Sequence, residues 1–296
     1  MVDFSKVKTV PLSQRKSLVT LKDFIKPTNL ECLIKNDDLA SLANDIKTAR
    51  VNNKEVLWMM GAHSIKLGLS PYIIDLMKQG YITHIAMNGA GPVHDFEIAY
   101  AGHTSEIVAD ALENGTFGVA EETGRMINEA VKERSGEGFG YAVSKMIHDN
   151  DLTNKFYSIL YWAHHLKIPL TVHTAIGTDI IYEHPSCDGA AIGRASYEDF
   201  KKLTSTISRL DEGVVLNVGS AVVLPEVFLK ALAVARNLGY SVKNFTAANL
   251  DMIDHYRPRT NVLKRPTSLG GKNYNIIARH EHTIPTLCYY LLGRES

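Results

Sequence analysis

Short apolar runs, each closed by a small-residue or polar turn, constrain this chain more than any other feature. Runs at residues 55–60, 82–87, 169–173, 214–218, 241–247 and 274–278 have the length and apolar content of buried strands. Helices are expected beside them over about 37–51, 69–79, 106–112, 120–133, 141–149, 156–166, 197–209, 225–238 and 284–292. Strands alternating with helices predict an α/β fold, a parallel sheet with helices on both faces. No Pro/Ser linker, composition shift or repeat divides the chain, so residues 1–296 read as one domain. Residues 1–30 are polar, carry Pro11 and Pro27, and read as an extended lead-in that packs on something else.

Composition narrows the function. The 296 residues carry 32 basic and 32 acidic side chains, so no net field attracts nucleic acid or an anionic membrane. No run approaches the roughly 18 apolar residues of a membrane span, and the N-terminal residues lack the apolar core of a secretory signal. Cys32, Cys187 and Cys288 are sparse and widely spaced, giving neither a disulfide framework nor a zinc motif. The expectation is a cytoplasmic protein with a small-molecule partner and no resident metal.

In a parallel sheet, ligands sit beyond the carboxyl ends of the strands, where successive connections leave in opposite directions. The residues just after the apolar runs are therefore the candidates: Gly61, Ala62 and His63; Asn88, Gly89, Ala90 and Gly91; His173 and Thr174; Gly219 and Ser220; Thr246 and Ala247; Arg279, His280 and Glu281. Small residues suit a dinucleotide cradle, and the histidines and acids suit polar substrate chemistry. The Asn88–Gly91 turn fits either a phosphate cradle or a plain strand-to-helix turn.

Several segments, in order from residue 55 to 292, resemble the deoxyhypusine synthase family. They are Glu55 to Gly91 with the turn Gly61-Ala62-His63-Ser64-Ile65-Lys66-Leu67-Gly68; Tyr161-Trp162-Ala163 with Ile168-Pro169 and Thr178-Asp179; Val214 to Ser220; and Phe245 to Asp254, which matches the family pattern in Thr246, Ala247, Asp251 and Asp254. The resemblance implies a Rossmann-like fold, bound NAD, transfer of an aminobutyl group from spermidine, and a homotetramer with sites between subunits. It places Gly68, Asp179 and the glycine turns on the cofactor. Counting back from Pro285 puts Asn275 where the family has its catalytic lysine, and Lys272 stands three residues earlier. Val223-Leu224-Pro225 occupies the place of the family's histidine pair. A second resemblance, through Val93-His94-Asp95-Phe96-Glu97, is to the NAD domain of archaeal ornithine cyclodeaminases, which oxidise an amino acid with bound NAD and then lose ammonia.

The remaining polar residues have two readings each. His94 and Glu97, at i and i+3, share a helix face, whereas Asp95 points elsewhere. That pair either orients a ribose or substrate amine, or complements a helix dipole. Asp251 and Asp254 either grip a cationic substrate or ribose hydroxyls, or cap the chain. His173 and His184 are either acid–base groups or structural. His280 and Glu281 follow the last strand and suit catalysis and cofactor contact; with His282 they lack a zinc signature. Arg257, Arg259, Lys264 and Arg265 form a solvated basic loop or an anion clamp, and Tyr157, Tyr161 and Trp162 read as core. The expectation is an NAD-dependent enzyme that transiently oxidises a small amine or amino acid, with His94, Asp95, Glu97, His173, Asp251, Asp254 and His280 as the catalytic set. The alternatives are aminobutyl transfer of the deoxyhypusine or homospermidine type, and a catalytically silent nucleotide-binding protein.

Overall fold

The structure, a computed structural model, describes residues 2–25 and 32–293. Its strands are Ser17–Thr20 (β1), Val56–Met60 (β2), His84–Asn88 (β3), His103–Glu106 (β4), Leu170–His173 (β5), Val214–Val218 (β6), Thr246–Asp251 (β7) and Lys272–Ile277 (β8). Its α-helices are Asp37–Val51 (α1), His63–Lys66 (α2), Ser70–Lys78 (α3), Ala90–Ala101 (α4), Val108–Glu113 (α5), Glu121–Glu133 (α6), Phe139–Asp149 (α7), Ile159–His165 (α8), Gly189–Ile207 (α9), Val223–Asn237 (α10) and His280–Leu292 (α11).

The six-stranded sheet runs β5-β3-β2-β6-β7-β8, and every neighbouring pair is parallel. From β2 the chain proceeds to β3 and β5 at one edge. It then returns to the far side of β2 and proceeds through β6 and β7 to β8. The order therefore reverses between β2 and β6, where Met60 pairs with Val218 at the carboxyl ends.

Alternation along the strands explains why they read as unbroken apolar runs. Val56, Trp58 and Met60 face one core with Ile46 of α1, Ile73 of α3, Phe96 of α4 and Leu287 of α11. Leu57 and Met59 face a second core with Leu203 and Ile207 of α9 and Phe228 and Leu232 of α10. Both faces are dry, so both phases of the period-two pattern are hydrophobic. The α/β architecture inferred from the alternation is the observed one.

Several boundaries differ from expectation. Residues 241–247 were expected as a strand, but β7 spans Thr246–Asp251. The amides of Lys243 and Asn244 both donate to the Asp211 carboxylate at 2.8 Å, which removes that segment from the sheet. The polar Asn249 belongs in β7 because asparagines in register form a ladder. Asn217 on β6 donates to Asn249 at 2.9 Å, and Asn249 donates to Asn275 on β8 at 3.0 Å. Residues 103–106 form a strand that pairs antiparallel with β1, so part of the lead-in is anchored, while 26–31 lie outside the described residues. The helix expected over 156–166 is interrupted at Ser158, which caps α8 by accepting the amide of Tyr161 at 2.9 Å. Tyr161 is buried as expected of core, whereas Tyr157 is exposed. The segment expected over 284–292 begins at His280, placing His280 and Glu281 in the first turn of α11 rather than in a loop.

Candidate functional site

The site is built at the reversal between β2 and β6. The chain leaves β2 at Gly61, whose amide donates to the carbonyl of Val218 at 3.1 Å. It leaves β6 at Gly219, in the left-handed region at φ +65°, whose amide donates to Leu250 at 3.0 Å. A Cβ on Gly61 would lie 2.5 Å from the Gly219 carbonyl oxygen, and one on Gly219 would lie 2.7 Å from Nε2 of His280. The two glycines let backbone and imidazole pack this closely at the reversal, the place in such a sheet where a ligand crevice is expected. Beyond β3, a Cβ on Gly89 would collide with the Asp179 carboxylate, so this glycine admits Asp179 to the start of α4. Asn88 accepts the Gly91 amide at 3.2 Å, so Ala90 and Gly91 open α4 directly rather than forming a loop.

Two histidines and two acids stand over this reversal. The rings of His63 on α2 and His280 on α11 are 5.9 Å apart. Burial lowers the pKa of each. Lys66 lowers that of His63 further, while Glu281 and Asp251 oppose the shift. At His280, Asp251 and Glu281 likewise oppose burial, and His63 reinforces it. Nδ1 of His280 and Oε2 of Glu281 are buried without a hydrogen-bond partner among the described residues. Burial works to raise the Glu281 pKa, but its own backbone amide and Arg279, bonded at 2.6 Å, hold it below the usual range. Asp251 ends β7, buried, with one oxygen taking the Met252 amide at 2.7 Å.

The other expected residues separate into three groups. On α4, Glu97 is buried and accepts both guanidinium arms of Arg15 at 2.6 Å, with hydroxyls of Thr104 at 2.6 Å and Thr123 at 3.0 Å. His94 shares Thr104 with it at 2.7 Å, and burial brings its pKa down to about 4. Asp95 turns away from both to cap α8. It takes the amides of Ile159 and Leu160 at 2.9 and 3.0 Å and the hydroxyl of Ser158, and burial raises its pKa to about 6 against those bonds. His173 is buried on the Thr171 hydroxyl at 3.1 Å, with a pKa lowered to about 3 by burial.

A second group lies away from the crevice. Thr246 and Ala247 occupy the amino end of β7, opposite Asp251. Thr246 bonds Asp45 at 3.2 Å, and Ala247 packs in the core. Their expected place at a strand end followed from reading the strand five residues too early. A Cβ on Gly68 would lie 2.6 Å from the Asp23 carbonyl, so this glycine seats the lead-in. Lys272, at the amino end of β8, pairs with Asp45 at 2.9 Å, and Asn275 belongs to the asparagine ladder. Ser220, by contrast, directly follows Gly219 at the site, where its hydroxyl accepts the Leu224 amide at 3.3 Å and so is engaged by the first turn of α10.

The basic segment forms the third group. Arg259 pairs with Asp254 at 2.7 Å, Arg257 with Glu226 at 3.5 Å, and Arg265 bonds Asn261 at 2.8 Å. Asp254 is exposed and also accepts from Asn275 at 3.1 Å. His280 and His282 diverge on α11, and His282 bonds the Cys32 carbonyl at 2.8 Å. His184 bonds Ser186 at 2.7 Å and Glu121 at 3.2 Å.

The sequence reading passed over Lys66, although it lies within the quoted turn after Gly61, and it passed over Arg15 and Ser105. It also missed His148, Asp149 and His164, whose ligating atoms lie within 4.8 Å of one another on α7 and α8; Asp149 there is also held by Lys145 at 2.6 Å.

The reversing parallel sheet and its glycine turns define a Rossmann-like α/β protein of the deoxyhypusine synthase-like fold. The chain is similar to AgrE, solved as a ternary complex with ornithine and NAD+, at 13% identity and a TM-score of 0.56 over 87% of this chain. It spans only 33% of AgrE. It is similar to a conserved LOR/SDH candidate from Methanococcus maripaludis S2, at 14% identity and a TM-score of 0.55, covering 90% of this chain and 72% of the other. A deoxyhypusine synthase candidate from Entamoeba histolytica aligns at 8% identity and a TM-score of 0.52, over 87% and 88% of the two chains. No family model matches the chain, and no curated protein matches it in sequence.

Proposed function

We propose that the chain is an NAD-dependent enzyme that transiently oxidises a small amine or amino acid. The observation that carries this reading is the strand-order reversal between β2 and β6, where Gly61 and Gly219 leave no room for a Cβ and His280 stands over the second glycine. The residues fit a dinucleotide: small residues follow the strands at the reversal, and the buried Asp251 and half-buried Glu281 carboxylates supply acceptors of the kind ribose hydroxyls need. The similarity to AgrE, which binds ornithine and NAD+, supports the same reading.

When bound, NAD supplies a hydride acceptor. The chain's own residues supply the rest. Gly61 and Gly219 seat the cofactor, and Asp251 and Glu281 orient it. Burial lowers the pKa of His280, and its Nδ1 has no partner among the described residues, so that nitrogen is the candidate to take a proton from a substrate amine. His63, whose pKa burial also lowers, lies beside it with ring centroids 5.9 Å apart. The aminobutyl-transfer reading lacks support, because Asn275 stands in the ladder and Lys272 is bound to Asp45 at the far end of β8.

The test is native mass spectrometry of the protein as purified, followed by denaturation and identification of released molecules, with calorimetry of added NAD and NADP. About one nucleotide per subunit, or saturable binding of either, is the expected result. No nucleotide and no binding would sink the proposal.

A further inference from the structure

Beside the crevice, on the other side of Gly89, lies a cavity of about 360 Å³ whose wall includes Lys66, His94, Ser105, Glu106 and Asp179. That volume is in the range of small-molecule sites, about 300–1,000 Å³. We infer that this cavity is a binding site for a zwitterionic α-amino acid, with Asp179 receiving its ammonium group and Lys66 and Ser105 its carboxylate. The assignment deepens the reading above and rests on its amine or amino-acid chemistry.

Asp179 is a carboxylate in need of a cation. It is half-buried, takes only hydroxyls among the described residues, Thr178 at 3.2 Å and Tyr182 at 3.3 Å, and burial raises its pKa against those bonds. An ammonium group entering the cavity relieves that desolvation. Glu106, on the same wall, accepts the Gly118 amide at 3.0 Å and adds negative charge.

Lys66 is the complementary charge. It forms no ion pair among the described residues, while the other cation on the wall, Arg15, is committed to Glu97. Its field acts on His63, on the crevice side, and on His94, on the cavity side. It lies on the cavity wall itself, where it can meet a carboxylate.

Ser105 is the independent observation. It is a non-glycine residue in the left-handed region at φ +65°, it is 8% exposed, and its hydroxyl is buried without a partner among the described residues. Backbone strain and an unmade hydrogen bond each carry an energetic cost, and such costs concentrate at ligand sites. Here both fall on one residue of the cavity wall, which a ligand carboxylate would satisfy.

The experiment uses the protein as purified with NAD added to saturation. Thermal-shift and calorimetric titrations with the protein α-amino acids and L-ornithine are compared with titrations of the matching decarboxylated amines, such as putrescine for ornithine. At least one α-amino acid is expected to bind, and its decarboxylated amine to bind roughly tenfold or more weakly. Asp179→Asn and Lys66→Met should each weaken that binding by a similar factor, and in Lys66→Met NAD binding should persist. Lys66 is half-exposed, so its variant keeps the test valid if Asp179→Asn fails to fold. Absence of binding by every α-amino acid, or binding that both folded variants leave unchanged, overturns the inference. If NAD fails to bind while an amino acid binds and Lys66→Met weakens it, the cavity assignment stands and the oxidoreductase reading falls.

Discussion

Gly61 and Gly219 meet across the sheet reversal so closely that a Cβ on Gly61 would lie 2.5 Å from the Gly219 carbonyl oxygen. The obstructing atom belongs to the backbone, which is pinned by the bond from Gly219 to Leu250 at 3.0 Å, so the crevice cannot relax around a methyl group cheaply.

Gly61→Ala is therefore expected to destabilise the protein by about 1–3 kcal/mol, as overpacking does, and to weaken NAD binding by roughly tenfold or more. Gly80→Ala serves as the control. Gly80 has φ +73° but nothing within 4 Å of its Cβ position, so it should lose about 1 kcal/mol of stability from strain alone and keep NAD affinity. Urea unfolding and calorimetry measure the two effects separately.

Arg15 ties the lead-in to α4 through a bidentate pair with Glu97, both side chains buried at 7% and 1% exposure. Removing one partner strands a buried charge. Glu97→Leu and Arg15→Met should each cost about 3–5 kcal/mol. The double variant Arg15→Met/Glu97→Leu should be less destabilised than the sum of the singles, because it leaves no orphaned charge. Denaturant midpoints of the four proteins complete the cycle.

His84 and His173 give the fold an acid sensitivity. Both are buried, both bond the Thr171 hydroxyl at 3.1 Å, and burial holds each at about 3. The unfolded chain protonates these groups below about 6.5 while the folded chain does not, so their contribution is present above that pH and is lost as pH falls toward 3. Asp95 and Asp199, raised to about 6, act in the opposite direction between about 6 and 3.8, and His94, lowered to about 4, adds to the histidine effect. Stability should therefore fall from pH 7 to pH 5. In His84→Gln that fall should shrink by about 2 kcal/mol, read from urea unfolding at the two pH values.

The strand-and-turn order was legible in the sequence because burial on both sheet faces leaves continuous apolar runs, and because small residues must follow strands that end at a crevice. The glycine turns at 61, 89 and 219 were legible for the same reason, as was the shared face of His94 and Glu97. The resemblance through residues 55–91 and 245–254 named the fold that the comparisons show. Local patterns reached no further. Nothing around Lys272 reveals that Asp45, 227 residues away, holds it at the amino end of β8. Asn249 disguised a strand as a polar loop, because its partners Asn217 and Asn275 come from neighbouring strands. Ser105 became notable only when folding buried its hydroxyl without a partner among the described residues and set its backbone at φ +65°. Periodicity and turn chemistry act over a few residues and determined which elements exist and in what order. The partners of buried polar groups come from distant parts of the chain, so tertiary structure alone decided which side chains face the crevice and which are already spent on holding it together.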